Sequence, residues 1–289
     1  MPDRRPLLIM AASAVCFALM ALAAKLASAR LSGGEVAFMR FAIMMLPVLA
    51  VPGLLRRAVT FQRLDLLIYR GVFGGTAVLL YFLAIAHIPV GIATLLNYCS
   101  PVFSVGFAAL FLGERVDRRL LLPLVTALTG MALAAGGGSR AGALLRFSRW
   151  EVLGATSAVL TGAAVAAIRA ARRTEGSWAI YGSFTLFGLI ATAPFAFADF
   201  KAPTLHEWLL LAGVGLGSVV AQLLMTWAYR WVTNLQAGVL SQLTVVISLV
   251  LGSLVLGDGL RPLQLLGILL TLAGVIGVLW LHSAPRAVE

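Results

Sequence analysis

A constant offset of 144 residues relates the two halves of this 289-residue chain. Ser13-Ala14-Val15 recurs as Ser157-Ala158-Val159, Lys25 as Arg169, Ala84 as Ala228, Ser104 as Ser248, Gly113-Glu114 as Gly257-Asp258, and Gly130 as Gly274. No net gap interrupts the register. One unit has been used twice, and the fold must let two copies bury each other's apolar faces. Residues 1–140 make the first copy, 141–150 the linker and 151–289 the second copy. The longest connector runs from Gly136-Gly137-Gly138 to Arg149.

Composition names the solvent. The chain is 61% hydrophobic and 11% charged, with a mean hydropathy of +0.99. Soluble chains are typically about 45–50% apolar and about 25% charged. No soluble core hides this much apolar surface, so a lipid bilayer is the expected surroundings. The net charge of +11 does not point to nucleic acid, because most of it lies in short segments between apolar spans, where the positive-inside rule accounts for it. Cys16 and Cys99 fall inside such spans with no metal-binding spacing and read as small core residues.

A span needs roughly 20 apolar residues. Ten segments qualify: 6–28, 35–54, 67–87, 90–112, 119–137, 151–171, 178–198, 207–229, 234–256 and 262–282. Arg4-Arg5, the apolar run that follows and Ala27-Ser28-Ala29 imitate a cleavable signal. The same span recurs around Ser157–Arg169, so 6–28 is read as a retained first helix. Five spans per copy is an odd number, so the second copy enters the membrane upside down. The expected fold is an all-α integral membrane protein of ten transmembrane helices in two inverted five-helix repeats. That is a usual build of secondary transporters, with one site between the halves facing alternately in and out. Assigning Lys and Arg to the segments between spans, with Arg70 and Arg119 at span edges included, gives 13 on the side of the N-terminus against 6 on the other. This bias puts both termini in the cytoplasm. Trp150, Trp178, Trp208, Trp231 and Trp280 fall at span ends, as interface anchors do.

Spans four and nine carry matching polar stripes. Asn97, Ser100 and Ser104 pair at the offset with Ser241, Thr244 and Ser248, and Tyr98 pairs with Gln242. Spacing of i, i+3, i+7 puts each triplet on one helical face. Such groups in hydrocarbon must face protein, water or substrate. One reading is interhelical hydrogen bonding, worth roughly 0.6 kcal/mol per bond. The preferred reading is a shared polar cavity, because Asn and Gln are harder to accommodate than Ser. Asn97 and Tyr98 then sit slightly outward of the midplane, and Ser241 and Gln242 slightly inward. Pro101 breaks or kinks span four and frees a carbonyl for substrate or for a hinge. Val245 replaces the proline in span nine, so a hinge is expected on one side only. Gly71 and Gly75 in span three, and Gly213 and Gly217 in span eight, signal close helix packing. Tyr81 and Gln222 lie deeper on the same helices and are further lining candidates.

Three cations lie inside spans. Lys25 and Arg169 are near span ends and are read as snorkelling. Arg40 is about one and a half turns into span two. It is read either as snorkelling beside Glu35 or, more sharply, as a partner for a substrate carboxylate. Spans one, three, four, six, eight and nine hold no acid in their middle portions, which argues against a proton-coupled exporter. No HExxH, paired catalytic carboxylates or phosphate-binding loop appears. Neither an enzyme nor a cofactor is expected.

Ala84-Ile85-Ala86, Pro89, Gly91, Ala93, Asn97, Pro101, Gly113-Glu114 and Gly130, echoed by Ala228, Ala237, Gly257-Asp258, Gly267 and Gly274, resemble the ten-helix EamA-type branch of the drug/metabolite transporter superfamily. The resemblance spans nearly the whole chain, twice. Phe184 in place of a second arginine, Asp258 for glutamate and Pro123 opposite Gly267 depart from it. It implies a bacterial inner-membrane exporter of small metabolites, with aromatic or neutral amino acids as leading cargo; the sequence does not set the oligomeric state, for which a monomer is plausible. The four-helix multidrug relatives use a first-helix glutamate that residues 6–28 lack. Proton-coupled efflux of quaternary ammonium compounds is therefore the runner-up.

Overall fold

The computed structural model describes residues 5–112, 118–136, 147–171, 174–228, 231 and 234–283. Among these, every regular element is helical. They are α1 (Arg5–Ala27), α2 (Gly33–Ala50), α3 (Pro52–Val59), α4 (Leu64–His87), α5 (Val90–Tyr98), α6 (Ser100–Leu112), α7 (Leu121–Gly136), α8 (Arg149–Ala171), α9 (Ser177–Phe197), α10 (Leu205–Ala228), α11 (Asn234–Ser241), α12 (Leu243–Leu256) and α13 (Pro262–Ser283), with a short 3-10 turn before α7. Ten stretches of the described residues are long and apolar enough to cross a bilayer, α5–α6 and α11–α12 each counting as one. Gly113-Glu114, most of the 141–150 linker, the ends of the chain and the Arg169 side chain lie outside the described residues.

Prolines set several boundaries. The second span ends at Ala50, earlier than the apolar run suggests, because Val51 precedes Pro52 and is extended at φ −115°, ψ 102°. Pro52 then opens the short α3. Ile88 is likewise extended before Pro89 and separates α4 from α5. Gly257 closes α12 at φ 69°, a left-handed cap in which the Asp258 amide returns to the Gly252 carbonyl.

Both matching spans are broken. α5 gives way to α6 at Cys99, and α11 gives way to α12 at Gln242. The expectation of a hinge on one side only is therefore corrected. The same hydrogen bonds tighten each break into a 3-10 turn: Cys99 N to Leu96 O and Val102 N to Cys99 O in one, Gln242 N to Val239 O and Val245 N to Gln242 O in the other. Pro101 is thus not required for the break, which span nine makes with a full set of backbone amides.

Helices of each half pack mainly on the other half. α1 lies along α10 and α4 along α8, pairs that exchange under the 144 offset. The pairs α2·α9 and α7·α13 map onto themselves, whereas α5 packs on α12. Close approach between α7 and α13 depends on glycine. A Cβ on Gly130 would stand 2.4 Å from the Thr271 nitrogen, one on Gly267 2.3 Å from that of Ala134, and one on Gly274 2.4 Å from that of Ala127. Of the glycine pairs singled out in spans three and eight, Gly71 and Gly75 pack tightly against Phe187 and Gly188. Gly213 and Gly217 have room for a side chain, and Gly215 between them is the close contact, at 2.5 Å from Ile43.

Lys25 does not snorkel. Its Nζ donates to the Ile88 carbonyl at 2.9 Å and the Ala86 carbonyl at 3.4 Å, closing the C-terminal end of α4. Arg30, in the loop after α1, bonds bidentately to Glu207 at the start of α10, which holds its guanidinium above the ordinary arginine pKa.

Candidate functional site

A cavity of about 200 Å³ lies where α1, α2, α4, α5, the start of α6, α8, α9 and α10 meet. It is small for a drug-sized ligand and suits a compact metabolite. Its lining includes Arg40, Arg70, Tyr81, Asn97, Tyr98, Ser100, Thr161, Phe184 and Gln222, with Phe17, Met20 and Met225 as apolar walls. No carboxylate is among the described residues that line it. A larger recess of about 410 Å³ near α6 and α7 has only apolar lining, Val102, Phe103, Leu110, Leu124 and Leu128 among it, and has no group to orient a polar solute.

Local chemistry holds the polar groups in place. Asn97 Nδ2 donates to Ser157 Oγ at 3.1 Å and to Thr161 Oγ1 at 3.3 Å, both on α8. This fixes the amide on the last turn of α5, just before the break in span four. The Tyr81 hydroxyl meets Thr94 Oγ1 at 3.0 Å. Arg40 is only 5% exposed. Its Nε donates to Ser218 Oγ at 2.8 Å, and its guanidinium faces the rings of Phe41, Phe82 and Phe184 at 5.4–6.0 Å. It does not meet Glu35. That carboxylate is buried at the first turn of α2 with neither oxygen in a hydrogen bond to a described residue.

Of the twelve residues picked from sequence, six line this cavity: Arg40, Tyr81, Asn97, Tyr98, Ser100 and Gln222. The other six lie apart from it. Ser104 Oγ turns back to the Pro101 carbonyl and Ser241 Oγ to the Gly238 carbonyl, each three residues earlier on its helix. Thr244 Oγ1 donates to the Ala14 carbonyl of α1 at 3.3 Å. Gln242 and Ser248 are buried with Nε2 and Oγ lacking a partner among the described residues. Pro101 lies beyond the break. The reading that Ser241 and Gln242 face the same cavity as Asn97 and Tyr98 is corrected for this conformation. Helix spacing does not tell a hydroxyl that bonds its own helix from one that faces a cavity.

Arg70 was missed. It stands six residues into α4 and was counted as a charge of the cytoplasmic loop. The structure buries it to 8% exposure and stacks its guanidinium on Phe184, 4.0 Å from the ring centroid. The repeat itself held a usable signal. Phe17 and Thr161, Met20 and Ala164, Arg40 and Phe184, Val78 and Gln222, and Tyr81 and Met225 are five pairs at the 144 offset, and all ten residues line the cavity. Their chemistry has diverged within each pair, which hid them from a search for matching residue types.

Two sets of five spans around a polar cavity are the build of a membrane transporter. The EamA-like transporter family matches residues 4–136 and again 148–280, two segments displaced by 144. The chain belongs to that family. It is 34% identical over 214 residues to the pseudopaline exporter CntI of Pseudomonas aeruginosa, covering 74% of each chain. It is 33% identical over 205 residues to a probable terminal-alkyne amino-acid exporter of Streptantibioticus cattleyicolor, covering 66% of this chain and 64% of that one. A crystal structure 22% identical in sequence superposes with a TM-score of 0.64 over 96% of this chain and 98% of the other, which supports the fold.

Cysteines introduced at Asn97 and Gln222, in a background with Cys16 and Cys99 replaced by serine, are expected to react with small polar thiol reagents. Cysteines at Thr244 and Ser248 are expected to react at least roughly tenfold more slowly, since both side chains are about 1% exposed. Equal labelling at all four positions would place the cavity elsewhere.

Proposed function

We propose that the chain exports amino acids or closely related metabolites by alternating access, with the Arg40 cavity as the substrate site. The observation that carries this reading is the lining. The buried guanidinium of Arg40, held through Nε by Ser218, receives the carboxylate. Tyr81, Tyr98, Asn97 and Ser100 supply neutral acceptors for an ammonium. Phe17, Met20 and Phe184 accept an apolar or aromatic side chain. A cationic drug is disfavoured, because guanidinium groups in the same cavity repel it.

The halves act as inverted repeats, with both termini in the cytoplasm of a bacterium and the chain in its inner membrane. The five lining pairs at the 144 offset support a pseudo-two-fold axis through the cavity. Span four contributes Asn97, Tyr98 and Ser100 to the lining, while their partners Ser241, Gln242 and Thr244 are packed away. Arg70 and Gly74, near the N-terminal end of α4, and Ile168, near the C-terminal end of α8, extend the cavity toward the side where the chain begins. This is the asymmetry of an inward-facing state. In the opposite state span nine presents its polar stripe, and the breaks at Cys99 and Gln242 let the two half-helices swing. Arg40 is a fixed charge and cannot relay a proton, so the transporter works as a facilitator driven by the substrate gradient.

The test is counterflow in proteoliposomes with labelled phenylalanine, leucine, glutamate and cationic dyes. Amino-acid counterflow is expected to persist with the pH gradient and membrane potential collapsed by ionophores. Strict dependence on a proton gradient, lost with Glu35→Gln, would sink the facilitator reading and favour the drug antiporter.

A further inference from the structure

The cavity holds a second guanidinium for which the fold has made deliberate room. Arg70 is 8% exposed, its Nε is without a hydrogen-bond partner among the described residues, and no acid shares its cavity. Its position follows from the repeat. At the 144 offset Arg40 corresponds to Phe184, and Ser218, which anchors Arg40, corresponds to Gly74. The symmetry-related corner, built from Phe184 of the second half and Gly74 of the first, therefore holds neither an arginine nor an anchor at the matching positions. Arg70 fills the vacated space from the neighbouring helix. Its Nη1 would stand 1.9 Å from a Cβ on Gly74, and its guanidinium lies on the face of Phe184. A cation is thus present at each of the two corners, though Arg40 and Arg70 are not at equivalent positions, which hold Phe184 and Val214.

The two guanidinium carbons lie 6.0 and 4.0 Å from the centroid of the same Phe184 ring, so they are no more than 10 Å apart. Two like charges held this close in a mostly apolar enclosure, with no counter-charge in the lining, are unfavourable when empty and complementary to an anion when filled. We infer that the preferred substrate is a compact anion with two carboxylates, one on Arg40 and one on Arg70, rather than a singly charged or zwitterionic amino acid. This deepens the amino-acid reading above and rests on the same cavity. An amino acid with an acidic side chain, or one carrying a carboxyalkyl group on its nitrogen, has the required chemistry. Its apolar part can still lie against Phe17 and Met20.

Matched pairs test the second carboxylate. Binding to the purified, detergent-solubilised transporter is measured for glutamate against glutamine and for N-(carboxymethyl)phenylalanine against phenylalanine, with methyl phosphate as a dianion of another kind. In the native protein the acid of each pair is expected to bind on the order of tenfold tighter, or more, as for a charge-assisted contact. Arg70→Gln is expected to bring the ratio toward one, and Arg70→Lys to keep part of it. Gly74→Ala leaves the charge in the chain but pushes the guanidinium out of its slot, and it is expected to lose the preference as well. Unfolding temperatures of the ligand-free variants show whether each is folded. Ratios near one in the native protein, or a preference that survives Arg70→Gln, overturn the inference while leaving an amino-acid exporter standing. Methyl phosphate binding more tightly than either dicarboxylate also overturns it. If the acids bind and no neutral amino acid does, the inference stands and the neutral-amino-acid reading falls.

Discussion

Arg40→Gln is expected to lower substrate affinity, read as counterflow at limiting substrate, by about 10- to 100-fold. A charge-assisted hydrogen bond contributes roughly 1.5–3 kcal/mol, and every 1.4 kcal/mol is about tenfold. Glutamine keeps a donor for Ser218 Oγ, so the 2.8 Å contact that links α2 to α10 has a replacement. The ligand-free protein should not melt earlier than the native one, because removing a lone buried charge relieves a desolvation cost. Loss of transport together with a lower unfolding temperature would mean that Arg40 is a packing residue and the cavity has been misassigned. Unchanged transport would exclude Arg40 from the site outright.

Gly267→Leu is expected to be the most damaging single change outside the cavity. Any Cβ there would stand 2.3 Å from the Ala134 nitrogen and 2.7 Å from the Gly130 carbonyl. Both atoms are helix backbone and cannot rotate aside. α7 and α13 must separate, which forfeits packing along a line that also includes Gly130, Gly274 and Thr271. Overpacking of a tight core costs about 1–3 kcal/mol and sometimes more, so the variant should lie at or beyond that upper figure, with sharply reduced recovery of folded protein from detergent. Gly259→Leu makes the control, since a Cβ on that glycine meets nothing within 4 Å. Equal stability of the two variants would mean that α7 and α13 do not approach as described.

The repeat explains how far the sequence reached. Ten spans, their proline-set ends at Ile88-Pro89 and Pro262, and the correspondence between the two sets of five follow from hydropathy and one offset. Lipid as solvent demands helices with internally satisfied backbones, which leaves few other solutions. Six cavity residues were legible for the same reason. Asn97, Tyr98 and Arg40 are costly in hydrocarbon, so each needed a polar destination.

What the sequence left open depended on contacts between helices remote in the chain. Ser104 and Ser241 have the spacing of a cavity stripe, yet each hydroxyl returns to its own helix, a choice made by local rotamer and neighbouring packing. The break at Gln242 has no proline to announce it. Arg70 is the sharpest case. A basic residue at the start of span 67–87 counts as one more charge of the cytoplasmic side. Only the packing of α9 on α4, with Phe184 as a platform and Gly74 as an open slot, turns that side chain inward and makes it part of the site. By itself the sequence determined the solvent, the helices and the repeat, because each of these is local or periodic. Which polar groups face one another was decided by the tertiary structure, because burial of a charge is settled by what packs against it.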